Sequence, residues 1–479
     1  MKHAPSPLFG WSKLASIAAH AALLAAIGTA PAGAGELCQQ QPKLTASDGA
    51  GPHQFGYSVA ISGHTAIVGA NQDNDNGFGS GSAYVFVADE KGWTQQQKLV
   101  PADGAFSEEF GNAVAISGDT TIVGAFHDDQ AGPNSGSAYV FVRSGAVWTQ
   151  QQKLTAPDGA AFDVFGLTVA ISGDTAIIGA FGNASPALGK GFAYVFVRSG
   201  SVWTHQQKLA APDGVPSDLF GFSSVSIDGD TVIIGARQDD DLGSNSGSAH
   251  VFVRSGPPGR QVWTHQQKLL AADGAAEDEF GSSISIDGNT VVVGAHRDDD
   301  LGSSTGSAYV FVRAGTRWTQ QQKLAASDAS TNDWFGFSVS ISGDKAIVGA
   351  VFDDDMASNS GAAYIFARFG TVWTQEQKFS APDGASDDWF GRSVSISGGA
   401  AIAGVSNDDD LGSNSGSAYI FACGGPAILG DINGDGAVSG ADLAVLLGAW
   451  GTADPLADLN DDGTVDAADL ALLLGAWTG

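Results

Sequence analysis

The sequence predicts an all-β protein, a seven-bladed β-propeller closed by its own N-terminal strand, followed by a small α-helical module. Three observations carry that expectation. One unit recurs seven times along the 479 residues, each unit holds four short apolar runs separated by turn residues, and the pattern gives way near the C-terminus to a duplicated acidic loop and apolar helix.

The repeat is marked by Phe-Gly pairs beginning at Phe55, Phe110, Phe165, Phe220, Phe280, Phe335 and Phe390. Five of the six steps between them are 55 residues and one is 60, because Pro257 to Arg260 lengthen a turn and an extra serine, Ser223 or Ser224, enters a strand. Within the unit beginning at Phe165, Val169 and Ile171 alternate with smaller residues, Ser172-Gly173-Asp174 reverses the chain, and Ala176 to Ala180 returns. Ala193 to Val197 and Trp203 to Leu209 supply the third and fourth strands. Four antiparallel strands per repeat describe a propeller blade. The 66 glycines and β-branched apolar positions fit that design, and a helical solenoid would need a 3.6-residue period that is missing.

Six repeats open the outer strand with a tryptophan: Trp93, Trp148, Trp203, Trp263, Trp318 and Trp373. The seventh lacks one, and its third strand ends at Cys423. At the other end of the chain Cys38 to Leu44, CQQQPKL, matches WTQQQKL, which makes this segment the missing outer strand. Pairing the two chain ends turns the seam of the ring into a hydrogen-bonded sheet. The two cysteines of the chain, Cys38 and Cys423, then face each other across one hairpin, and a disulfide between them is expected.

The Phe-Gly pairs followed by Gly69-Ala70, Gly124-Ala125, Gly179-Ala180, Gly235-Ala236, Gly294-Ala295 and Gly349-Ala350 resemble the FG-GAP repeat of integrin α-chain propellers, over roughly residues 38 to 423. Blade seven departs with Gly404-Val405. Members of that family often hold calcium between the first two strands; here turns such as Ser117-Gly118-Asp119 leave no room for an ion, so those sites are not carried over.

Net charge is −30, with 52 acidic against 22 basic residues, which disfavours nucleic acid and anionic membrane surfaces as partners. Lys2 and Lys13, the apolar stretch Leu14 to Ala30 and Ala32-Gly33-Ala34 read as a signal peptide over 1–34. The mature protein is expected to be a monomer, secreted and extracellular or at the cell surface, with no membrane insertion after cleavage. The propeller is assigned to 35–425 and the appended module to 426–479. The triplets Asp239 to Asp241, Asp298 to Asp300, Asp353 to Asp355 and Asp408 to Asp410 lie between second and third strands. They give one face a strongly negative character, either as cation sites or as self-bonded turns, while turns after Arg143, Arg198, Arg254 and Arg313 collect on the other.

In the module, DINGDGAVSGADLAVLLGAWG returns as DLNDDGTVDAADLALLLGAWTG. Oxygen ligands at loop positions one, three, five, seven and twelve are Asp431, Asn433, Asp435, Ala437 (backbone) and Asp442 in the first copy. In the second they are Asp458, Asn460, Asp462, Thr464 (backbone) and Asp469. This EF-hand-like spacing suits calcium, with Ser439 or Asp466 assisting directly or through water. Aspartate at position twelve and two loop–helix units make residues 430 to 478 resemble a type I dockerin, which implies calcium-dependent docking to a cohesin-like protein. At positions ten and eleven, where such dockerins often present hydroxyls, the chain has Gly440-Ala441 and Ala467-Ala468.

Nothing in the sequence isolates an active site: the nine histidines lack a repeated partner, and no phosphate loop, zinc spacing or nucleophile elbow is present. The expected function is therefore non-catalytic, a binding, adhesion or scaffold protein whose propeller presents a face to a glycan or extracellular protein. The rival is an extracellular polysaccharide-active enzyme, a hydrolase or lyase, with its site at the propeller channel.

Overall fold

Alternating apolar runs of this length bury one face or both, and they do so here as seven four-stranded antiparallel sheets. The structure is a computed structural model and describes residues 38–89, 92–182, 189–257, 259–423, 430, 432, 438–452, 457–459 and 464–477. The signal-peptide assignment lies outside these residues. Among them, no helix is long and apolar enough to cross a membrane.

Blade one comprises Phe55–Ser62, Thr65–Ala70, Ser82–Asp89 and Gly92–Leu99, hydrogen-bonded in that order. Its second strand, TAIVGA, is buried at every position, and the outer strand only at Leu99. That gradient explains the sequence pattern, since a strand covered on both faces reads as a continuous apolar run. First strands of neighbouring blades touch around the ring and line its centre.

The two glycines of the repeat sit where neighbouring blades meet. A Cβ on Gly124 would lie 2.0 Å from the carbonyl oxygen of Gly166 in the next blade. Gly166 itself has φ +94°, and a Cβ there would lie 2.1 Å from the Ser137 carbonyl. Each Phe-Gly phenylalanine is fully buried; Phe110 packs edge-on against Tyr139 at 5.5 Å and Phe141 at 6.0 Å.

Blade seven closes as the sequence predicts. Its sheet runs from Phe390–Ser397 through Ala400–Val405 and Ser417–Ala422 to the N-terminal Gln39–Gln40, with Gln39 opposite Ala422 and Gln40 opposite Phe421. Leu44 pairs with Ala418, and Cys38 is disulfide-bonded to Cys423 across 385 residues of chain. In the chain-entropy picture such a bond contributes about 2–4 kcal/mol. Phe55 bridges Gly416 just as Phe110 bridges Gly81, so the last blade meets the first through the same bridge as five of the six internal pairs.

Glutamines of the outer strands stitch adjacent blades. Gln97 Nε2 donates to the Trp148 carbonyl and Gln97 Oε1 accepts from the Trp148 N–H, both at 2.8 Å, while the Trp148 indole donates to Gln96 at 2.9 Å. Cys38 stands in for tryptophan in this scheme, its carbonyl accepting from Gln377 at 3.1 Å. Pro42 replaces the stitching glutamine of blade seven, and Trp93, the residue that would be gripped, is less buried than Trp148.

In the C-terminal module, α1 (Gly440–Gly448) and α2 (Ala467–Gly475) are each opened by a capping box, Ser439 with Asp442 and Asp466 with Asp469. Their shared core holds Ile432, Val438, Leu446, Ala457, Val465 and Leu473.

Candidate functional site

The acidic loops are built around lysines. The first aspartate of each loop turns the chain by accepting the N–H two residues on, as Asp353 Oδ1 does from Asp355 at 3.1 Å, and its other oxygen faces inward. There Lys378 of the outer strand lies 2.8 Å from Asp353, 2.8 Å from Asp328 and 2.6 Å from Asp355, with the Tyr364 hydroxyl donating to Asp353 at 2.8 Å. Lys98, Lys268, Lys323 and, from the N-terminal strand, Lys43 each gather three aspartates in the same way. An ammonium thus occupies the position a metal would take. Burial pushes Asp328 up, but hydrogen bonds from Lys378 and Tyr364 and the ammonium charge outweigh it and hold the carboxyl below its ordinary value.

This arrangement decides between the two readings of the triplets: they are self-bonded turns fastened to lysines, and with one ammonium to three carboxylates the face stays acidic. On the other face, Arg143, Arg198 and Arg254 of the expected four, and Arg368, each hold an aspartate at 2.6 Å, namely Asp119, Asp174, Asp230 and Asp344, whereas Arg313 donates to the uncharged Asn289 at 2.8 Å and keeps its charge unbalanced.

The predicted calcium ligands fall into two groups. Asp431, Asn433, Asp435, Ala437, Asn460 and Asp462 lie outside the described residues. Asp442 and Asp469 are completely buried, and each ties its loop together. Asp442 accepts from the N–H of Ile432 at 2.9 Å and of Ser439 at 2.8 Å; Asp469 repeats this with Leu459 at 2.7 Å and Asp466 at 2.8 Å. Asp458 is buried as well, at the start of the second loop, and Thr464 is exposed within it.

An asymmetric constellation lies at the centre of the ring, in a cavity of about 450 Å³ lined by first strands of all seven blades. The residue after each Phe-Gly pair faces it: Tyr57, Asn112, Leu167, Phe222, Ser282, Phe337 and Arg392. The Arg392 guanidinium lies over the Tyr57 ring at 3.9 Å and near Phe337 at 5.9 Å. Arg237 and His296, each directly after a Gly-Ala pair, add to the lining. Glu279 is held between Arg237 at 3.4 Å and Arg297 at 3.3 Å, and His296 Nε2 lies 3.8 Å from it. Burial first, then the charges of Arg237 and Arg297, push the His296 imidazole down to about 3, so it is neutral. Trp334 packs on His296 at 4.8 Å and under Arg297 at 5.3 Å.

The FG-GAP repeat profile matches the chain seven times, over residues 38–86, 93–141, 148–196, 203–252, 263–311, 318–366 and 373–421. The chain belongs to the FG-GAP repeat family. A search among curated proteins finds no match. Each FG-GAP match runs from the outer strand of one blade through the third strand of the next, so the family's sequence unit is offset from its structural blade. That offset is why the ring closes with strands from both ends of the chain. The channel residues escaped the sequence reading because it sought partners repeated from unit to unit. Their signal is the opposite, a position that holds six different residue types in seven FG-GAP repeats between neighbours that scarcely change.

Proposed function

We propose that the protein is a secreted, non-catalytic binding protein of the extracellular space or cell surface. The propeller holds a glycan or an extracellular protein at the mouth of its channel, and the C-terminal module, dockerin-like, provides calcium-dependent attachment to a cohesin-like partner. One observation carries the reading: the position after each Phe-Gly pair varies among seven otherwise similar repeats, and all seven copies converge on a single cavity that gathers Arg237, Arg392, Tyr57, Phe222, Phe337 and several serines. Variation of that kind makes a recognition surface on a repetitive scaffold.

The module supports the attachment half. Its oxygen-only donor set suits a hard cation, and the buried Asp442 and Asp469 carboxylates are already oriented by backbone N–H groups at the ends of their loops. The loops would hold calcium, which ties each loop to the helix that follows. Leu447 and Trp450 in one copy, and Leu474 and Trp477 in the other, are each at least 40% exposed, an apolar surface suited to a protein partner.

The rival reading, a polysaccharide-active enzyme, draws on the approach of His296 to Glu279 beside the cavity. Both groups are committed elsewhere, Glu279 to two arginines and the neutral His296 to an aromatic pocket, so binding is favoured. Incubating the full chain with plant and microbial glycans, while following both association and products, separates the readings. Saturable association without products supports binding; turnover supports the enzyme.

A further inference from the structure

The channel is electropositive in a strongly acidic protein. No aspartate or glutamate lines the cavity among the described residues, while Arg237 and Arg392 both do. Glu279, behind Arg237, is shared between Arg237 and Arg297. Arg392 makes no ion pair among the described residues, whereas Arg143, Arg198, Arg254 and Arg368 hold aspartates at 2.6 Å. Its Nε is buried without a hydrogen-bond partner, as is that of Arg237, and His296, 3% exposed, leaves Nδ1 unmatched at the same cavity. Unsatisfied buried polar groups of this kind are rare unless something fills them.

The remaining walls narrow the ligand. Phe337 and Phe222 offer flat apolar faces, while Ser223 Oγ and Asn112 Oδ1 are buried without partners beside them. A saturated ring with an apolar face and hydroxylated edges fits such a wall, and a planar guanidinium fits an oxyanion. We infer that the channel mouth binds a sugar ring carrying an oxyanion, a carboxylate or a sulfate ester, with the oxyanion on Arg392 and the ring against Phe337. This rests on the binding function proposed above and names its ligand class.

The test is calorimetric titration of the full chain with trigalacturonic acid, with its fully methyl-esterified form, and with a sulfated galactose disaccharide. The acid, the sulfated sugar or both should bind, and the ester should bind at least roughly tenfold more weakly than the acid if the carboxylate is the source. Arg392→Gln should remove this preference, Arg392→Lys should restore part of it, and the exposed Arg317→Gln should leave it unchanged. Thermal unfolding of each variant checks that the ring is intact. Equal affinity for acid and ester, with no binding of the sulfated sugar, overturns the oxyanion assignment but leaves a binding channel. Anion binding undiminished in an intact Arg392→Gln protein overturns the role of Arg392. Failure of all three sugars to bind overturns the inference, while the glycan panel separately decides the broader function.

Discussion

Gln152 grips the backbone of Trp203 in the neighbouring blade: its Nε2 donates to the Trp203 carbonyl and its Oε1 accepts from the Trp203 N–H, both at 2.8 Å. Because the same pair of bonds recurs between successive blades, the outer rim is a chain of such grips. Replacing Gln152 with leucine removes two hydrogen bonds and leaves two backbone groups unmatched, a loss of about 1–3 kcal/mol. Denaturant unfolding should show a lower midpoint with an unchanged slope.

The lysines inside the acidic loops should matter more than surface ion pairs do. Lys378→Met leaves Asp353, whose side chain is 4% exposed, without its cation. Breaking a buried pair from one side costs about 3–5 kcal/mol, and the retained Tyr364 and backbone bonds place this case near the lower end. The check is chemical unfolding of the variant near neutral pH; a loss no larger than that of an exposed lysine variant would show that these clusters do not hold the loops.

Stability should rise on mild acidification. Burial pushes the carboxyls of Asp218, Asp278 and Asp333 up from 3.8 to about 6, with nearby aspartates adding to the shift and a backbone N–H and a lysine opposing it. The folded state therefore binds protons more tightly than the unfolded chain between these values, and stability grows as pH falls through about 6. Asp48, Asp103, Asp158, Asp213, Asp273, Asp328 and Asp383 behave oppositely: lysine contacts, joined by a tyrosine in all but Asp213, overcome burial and hold them below 3.8, so their contribution is lost as pH falls below that value. The melting temperature should be higher at about pH 5 than at about pH 7.5, and should drop again below about pH 4.

Calcium should bind the module and not the propeller. Titration calorimetry is expected to give two ions per chain, and Asp431→Ala with Asp458→Ala should abolish both while leaving the Asp442 and Asp469 capping boxes in place. Two ions persisting in the double variant would move the sites to the propeller loops.

Strands, ring closure and the disulfide were legible in the sequence because local patterns encode them: alternation marks the strands, and Cys38 occupies a position filled elsewhere by tryptophan. The lysine clusters were not, since Lys98 meets Asp73 across 25 residues and Asp48 across 50, and only the folded blade with the turn that precedes it brings the three together. The triplets alone admit a reading as metal loops beside the favoured one as turns. The channel was hidden for a related reason: Tyr57 and Arg392 belong to the first and last blades, and their contact exists only once the circle is complete.

Completion of that circle underlies the seam, the rim and the cavity alike. Peptide mapping of natively purified protein without reductant tests it most directly. A single cross-linked species joining the peptides of Cys38 and Cys423 is the predicted result; both cysteines recovered as alkylated free thiols would contradict it.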